Sequence, residues 1–117
     1  MIFRYVALRK ESKSSTALRE LEENAAVVKD SIWPLPIVHF YLGKIDENAM
    51  YAAAESADAK KKPGQLCEAR FFAAEEKLLK GNSEAALPLL RAAEKECPAT
   101  FYEAHAARAE LKRLGRF

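Results

Sequence analysis

A pair of helix-forming segments of similar length, separated by a short turn, constrains the fold of this chain more than any other feature. The segments read QLCEARFFAAEEKLLK and EAALPLLRAAEKE, with Gly81 between them and Pro98 after them. Gly81 tolerates the left-handed backbone that often ends a helix, and Ser83 is a favourable N-cap for the second helix. Because so short a link makes the two helices antiparallel, residues 64–98 are predicted to form a helical hairpin.

The alanines of this hairpin are predicted to lie where its two backbones approach most closely. Ala74 on the first helix and Ala86 and Ala93 on the second leave room for that approach. Larger apolar side chains would fill the space around them, namely Phe71, Phe72, Leu78, Leu87 and Leu90. An alanine-rich hairpin with no special role is the simpler interpretation of the same pattern.

The rest of the chain also favours helices. Alanine, which loses no side-chain entropy in a helix, is abundant, whereas the chain has only 4 glycines. Near the start, TALRELEENAAVV is typical of a helix, and IFRYVALRK is compatible with a short helix or a strand. Near the end, Thr100 and Glu103 have the spacing of a capping box. The last helix should therefore begin at Thr100 and end near Leu114, with Gly115 at its C′ position.

The spacing within the hairpin resembles the tetratricopeptide repeat, a unit of about 34 residues. We count Cys67 as the first position of the unit. Small residues then occupy position 8 (Ala74), position 15 (Gly81), position 20 (Ala86) and position 27 (Ala93), and a proline occupies position 32 (Pro98). Arg70 and Lys77 depart from the repeat, because aromatic residues are usual at their positions. We expect their alkyl stems to lie along the helix interface with the charged heads in water.

A degenerate copy of the repeat precedes this unit. Gly43 corresponds to Gly81, Asp46 is a predicted N-cap, and the closing proline has moved to Pro63. Over about residues 30–114, the chain is also similar to the C-terminal part of bacterial tetratricopeptide proteins, many of which are exported. The matching residues are Trp33, Pro34, Pro36, Phe40 to Gly43, Cys67 to Ala69, Cys97, Pro98 and Ala109 to Leu114.

The resemblance implies an all-α fold of about seven helices, in which tetratricopeptide-like hairpins stack as a short superhelix. The length of 117 residues fits a single domain over residues 1–117. Within that domain we expect a first helical hairpin, a degenerate repeat, the best-matching repeat and a C-terminal capping helix, at residues 1–30, 31–62, 63–98 and 99–117.

The function implied by the resemblance is a non-enzymatic protein–protein interaction or scaffold module that binds a peptide or protein. In the register of the repeat, the residues expected to face the partner-binding groove are Glu68, Phe71, Glu75, Leu78, Glu103, Ala107 and Glu110. Their acidic and apolar side chains favour a partner with basic and apolar side chains. The alternative is a structural oligomerisation module, or a terminal fragment, with no peptide ligand.

Other classes of function find little support in the sequence. The net charge of +2 is too small to indicate nucleic-acid binding, and the run Lys60 to Lys62 is more typical of a solvated linker. His39, His105 and the two cysteines lack the spacing of metal ligands, so neither a metal nor another cofactor is expected. No apolar run approaches the ~20 residues of a membrane span, the start of the chain lacks the pattern of a signal peptide, and no motif indicates an enzyme.

The two cysteines are predicted to form a disulfide. Cys67 and Cys97 fall at positions one and thirty-one of the repeat unit, which is the shared end of the two antiparallel helices. Helix axes packed about 8–10 Å apart bring side chains at such an end within reach of each other. Two free buried cysteines of a cytosolic protein are the alternative. A disulfide would favour a periplasmic or exported location over a cytoplasmic one.

The N-terminal helix is predicted to need a cover. Its apolar residues lie on almost every face of the helix; they are Ile2, Phe3, Tyr5, Val6 and Leu8. Exposed apolar surface of that extent marks interaction sites. We therefore expect a homo-oligomer through this end of the chain, or coverage by a partner or by further repeats.

Overall fold

The computed structural model describes residues 2–27, 33–55 and 58–115, and every regular element in these ranges is an α-helix. The helices are α1 (Ile2–Lys10), α2 (Ser14–Ala26), α3 (Leu35–Tyr41), α4 (Glu47–Glu55), α5 (Lys62–Leu79), α6 (Ser83–Glu96) and α7 (Tyr102–Arg113). The predicted all-α fold with about seven helices is therefore confirmed. The chain divides into two compact units: unit 1 is Met1–Met50 and unit 2 is Tyr51–Phe117.

Unit 1 begins with the hairpin of α1 and α2. Ser12 in the connecting turn has a φ of 64°, in the left-handed region that non-glycine residues rarely adopt. Arg4 of α1 donates hydrogen bonds to both carboxylate oxygens of Glu20 on α2, at 2.8 and 3.1 Å. Ala17 and Leu21 of α2 are buried. A first hairpin was expected over residues 1–30, of which residues 1 and 28–30 lie outside the described ranges.

Aromatic and aliphatic side chains connect α3 to this hairpin. Tyr5 of α1 stacks on Tyr41 of α3 with ring centroids 5.1 Å apart. The Arg9 guanidinium donates a hydrogen bond of 2.9 Å to the Tyr5 hydroxyl. Ile37 and Val38 of α3 are fully buried. A few side chains therefore hold this short helix in place.

The N-terminal helix is already largely covered within the chain. Ile2, Tyr5, Val6 and Leu8 are buried, whereas Phe3 is 37% exposed. The expectation that all five residues need a cover from outside is therefore wrong for four of them. The large apolar side chain that α1 leaves partly exposed is Phe3.

Helix α4 begins as its sequence predicts. Oδ1 of Asp46 accepts a hydrogen bond of 2.8 Å from the Ala49 backbone N–H, which is the contact of an N-cap. Met50 and Ala54 of this helix are fully buried.

Unit 2 contains the long hairpin of α5 and α6. Gly81 in its turn has a φ of 79°. The Gly81 and Asn82 N–H groups donate back to the carbonyls of Leu78 and Lys77, at 3.0 and 2.8 Å, a common way to end a helix. The N-cap of α6 is Asn82, whose side chain accepts from the Ala85 N–H at 3.3 Å, rather than the predicted Ser83.

Small and aromatic side chains form the core of this hairpin. Ala74, Ala86 and Ala93 are fully buried, as close approach of the two helices requires. The buried large side chains near them are Phe71, Phe72, Leu87 and Leu90. Phe71 and Phe72 contact each other edge to face, with ring centroids 5.0 Å apart. Pro88 lies inside α6 but is exposed, so its ring does not disturb this core.

Helix α7 packs mainly on α6 and more lightly on α5. It begins at Tyr102 after the N-cap Phe101, so the predicted capping box of Thr100 and Glu103 is wrong. Thr100 lies instead in a turn closed by a 2.8 Å hydrogen bond from the Phe101 N–H to the Pro98 carbonyl. A Cβ at Gly64 would lie 3.1 Å from the Phe101 ring, so this glycine lets the ring approach the start of α5.

Candidate protein-interaction site

The seven residues assigned to the groove differ in accessibility. Glu68 and Leu78 of α5 are half-buried. The other five are buried, at 9% exposure or less: Phe71, Glu75, Glu103, Ala107 and Glu110. The groove assignment stays a prediction, and within it only Glu68 and Leu78 are open to a partner.

Two of the buried acidic residues of this face, Glu75 and Glu110, lie near one cation, Arg113. Arg113 Nε donates a hydrogen bond of 2.8 Å to Oε1 of Glu110. This bond and the negative charges of Glu110 and Glu75 hold the pKa of Arg113 above its ordinary value. Glu75 of α5 and Glu110 of α7 are therefore brought close enough to act on the same guanidinium, which partly offsets their negative charge.

A disulfide joins the ends of α5 and α6. It links Cys67 and Cys97, the pair singled out from the sequence, with their Cα atoms 5.2 Å apart. Both residues are buried. Cys67 Sγ also lies 3.2 Å from the Gly64 carbonyl oxygen, a contact without a hydrogen bond because a disulfide sulfur carries no proton. The bond closes a loop with a sequence separation of 30, which spans most of the hairpin.

Next to the disulfide, an ion pair joins the same two helices. Arg70 Nη1 of α5 donates to Oε2 of Glu96 at the end of α6. The two side chains remain 32% and 49% exposed, so the ion pair is partly open to water. The expectation for Arg70 did not include this partner. Lys77, the other departure from the repeat, is half-buried.

A surface pocket lies over this ion pair. Its volume is about 420 Å³, and it is lined by Lys62, Pro63, Leu66, Arg70 and Glu96. Sequence reasoning missed this pocket and treated Lys60 to Lys62 as a linker, whereas Lys62 is the first residue of α5. The signal for it was the spacing of Pro63, Leu66 and Arg70, which places them on consecutive turns of one helix face.

The two histidines lie on different helices, and the two cysteines are bonded to each other. His39 lies on α3 in unit 1 and His105 on α7 in unit 2, while both cysteines are in the disulfide. Within residues 2–27, 33–55 and 58–115, no three or more His, Cys, Asp or Glu side chains are grouped so as to hold a metal ion. Among the helices that the structure describes, none combines the length and the apolar character of a membrane span.

Comparison of the chain with protein-family models, with curated proteins and with solved structures gave no match.

Proposed function

We propose that this chain is a non-enzymatic interaction module, a tetratricopeptide-like helical domain that binds a peptide or protein partner. The observation that carries the proposal is the arrangement of unit 2. Helices α5 and α6 pack closely on buried alanines, and α7 packs beside both of them, as the first helix of a following repeat would. Stacked hairpins of this kind present the first helix of each repeat along one face, which accepts extended or helical peptides.

The proposed groove favours a basic and apolar partner. Its accessible residues on α5 are Glu68, which is acidic, and Leu78, which is apolar. Behind them, the buried Glu75 and Glu110 add negative charge that Arg113 only partly offsets. Opposite charges across an interface steer association and suppress wrong partners.

A peptide array tests this proposal. The full chain is labelled and applied to peptides that combine Lys or Arg with Leu or Phe. Reversing the charge in Glu68→Lys should weaken the strongest signals roughly tenfold, which corresponds to about 1.4 kcal/mol. Glu94→Lys is the matched control, because this substitution reverses the same charge on α6, outside the proposed groove. Absence of any binding peptide, or equal loss in both variants, would contradict the proposal.

The second candidate function is a structural oligomerisation module. It is favoured by two partly exposed apolar side chains of unit 1, Phe3 at 37% and Leu18 at 39%. Light scattering would then show a dimer that dissociates when both residues are replaced by serine. A monomer at high concentration would count against this candidate and leave the peptide-binding proposal standing.

We also infer that the protein works in an oxidising compartment, periplasmic or otherwise exported. The support is the disulfide between Cys67 and Cys97, because such bonds persist mainly outside the reducing cytosol. Mass spectrometry of protein isolated with its redox state preserved should find no thiol that alkylates. Two alkylated cysteines would contradict both the bond and the inferred location.

A further inference from the structure

The pocket beside the disulfide lies on a different side of α5 from the proposed groove. Successive residues of an α-helix are turned by about 100°, so Leu66 in the pocket and Glu68 in the groove point in nearly opposite directions. We propose that this pocket is a second docking site, which binds an acidic peptide segment carrying an apolar side chain. The expected segment has Asp or Glu on either side of a Leu or Phe.

The lining of the pocket suits an apolar side chain. Pro63, Leu66 and the aliphatic stem of Arg70 follow each other along α5 and line it. Its volume of about 420 Å³ lies within the range of ligand pockets, roughly 300–1,000 Å³. The Cys67–Cys97 bond fixes its two walls, since these cysteines adjoin the lining residues Leu66 and Glu96. A wall that is fixed before binding reduces the entropy lost when a ligand binds.

The charges around the pocket favour an anionic occupant. Lys60, Lys61 and Lys62 are exposed, and none of them forms an ion pair with any residue that the structure describes. Oδ1 of Asp58 accepts from the backbone N–H groups of Lys60 and Lys61, at 3.1 Å each. Glu96 is engaged by Arg70. Lys62 and Arg70 line the pocket together with a single carboxylate, Glu96, which leaves excess positive charge in the lining for an acidic ligand. Lys60 and Lys61 directly precede Lys62 in the sequence.

A peptide fits these features better than a nucleic acid or a membrane. A phosphate backbone would use the lysines but would leave Pro63 and Leu66 without a contact. A flat membrane surface would not enter a concave pocket. A carboxylate next to an apolar side chain uses both parts of the site, with the carboxylate on Lys62 and the apolar group on Leu66.

This proposal does not depend on the groove. The groove is expected to bind basic peptides and the pocket acidic ones, so the two can fail separately. If acidic peptides do not bind, Glu68→Lys should still weaken the binding of basic peptides. If basic peptides do not bind, Lys62→Glu should still weaken the binding of acidic peptides.

Fluorescence anisotropy of the full oxidised chain tests the pocket. The probes are a labelled peptide with Glu-Leu-Glu at its centre and the same peptide with Gln-Leu-Gln. The acidic peptide should bind, and its glutamine version should bind roughly tenfold more weakly. Lys62→Glu should weaken the acidic peptide by a similar factor. Lys44→Glu is the matched control and should leave binding unchanged, because Lys44 is an exposed lysine of unit 1.

Leu66→Gln tests the apolar half of the site, and circular dichroism checks that this variant keeps its helices. If Leu66→Gln unfolds, Lys62→Glu still tests the proposal, since Lys62 is exposed and its replacement leaves the packed core unchanged. Equal binding of the two peptides, or no effect of Lys62→Glu, would overturn the proposal. So would unchanged binding in a folded Leu66→Gln variant, or preferential displacement of the peptide by single-stranded DNA or by anionic lipid vesicles.

Discussion

Units 1 and 2 are stabilised by different kinds of contact. Unit 2 has the longest helix, α5 with 18 residues, paired with α6 over buried alanines and closed by a disulfide. Unit 1 begins with α1, of 9 residues, which is joined to α2 by an exposed ion pair and to α3 by a tyrosine stack. Long helices distribute stabilisation over many small packing contacts along their length. Short helices depend on a few side chains, so substitutions should have different effects in the two units.

The largest difference is expected between two phenylalanines. Phe71 in unit 2 is 1% exposed, and Phe71→Ala should lower the free energy of unfolding by roughly 3–5 kcal/mol, because it leaves a cavity in a packed core. Phe3 in unit 1 is 37% exposed, and Phe3→Ala should cost well under half of that amount. Guanidinium unfolding followed by circular dichroism measures both. Equal costs would mean that the Phe3 ring contributes as much packing as a core side chain.

Removal of the disulfide is expected to have the next largest effect. Replacing Cys67 and Cys97 together by alanine should lower the free energy of unfolding by roughly 3–4 kcal/mol, the loop-closure entropy expected for a sequence separation of 30. Chemical unfolding of the variant and of the oxidised natural chain gives the difference. Adding a thiol reductant should destabilise the natural chain and leave the double variant unchanged. A change in the free energy of unfolding of the double variant would show that the reductant acts on something other than this disulfide.

The ion pair of unit 2 should contribute much less than the disulfide beside it. Arg70→Ala should cost about 1 kcal/mol or less, because both partners remain partly exposed and water screens their attraction. A double-mutant cycle with Glu96→Ala isolates the pair from the packing of the Arg70 stem. A coupling of several kcal/mol would contradict the exposed position of these groups.

The smallest effect is expected for the ion pair of unit 1, and it depends on pH. Hydrogen bonds from Arg4 hold the pKa of Glu20 below its ordinary value. Glu20 therefore stabilises the folded chain above its unfolded pKa, and this contribution is lost as the pH falls through its folded pKa. The stability of the natural chain and of Glu20→Gln should differ near neutral pH and converge in acid. If the two chains still differ in stability after Glu20 is protonated, the difference does not come from the charge of Glu20.

The part of the fold that could be predicted from sequence is the part with the most regular pattern. The α5–α6 hairpin follows from a long apolar periodicity and from Gly81, whose positive φ ends the first helix. The first residues of the helices were harder to predict, because capping depends on which polar side chain reaches a free backbone N–H group. Asn82 rather than Ser83 caps α6, and the turn at Pro98 keeps Thr100 out of α7.

The proposed groove and pocket could be predicted only in part. The repeat register assigns Glu75, Glu103 and Glu110 to a groove, but their burial depends on how closely α7 packs, which helix periodicity does not contain. The pocket required the positions of two separate helices, because Glu96 of α6 lies beside Arg70 of α5. Four of the five lining residues lie on α5, but the spacing within that helix does not show that Glu96 lies against them.

The central claim is that unit 2 is a binding module. Hydrogen–deuterium exchange of the full chain, with and without the strongest peptide from the array, tests it most directly. Binding in the proposed groove should slow exchange in α5 and α7, since opening of these helices would then require release of the peptide. The exchange of α1 and α2 should stay the same. Protection confined to α1 and α2, or no protection of any described helix by any array peptide, would contradict the account.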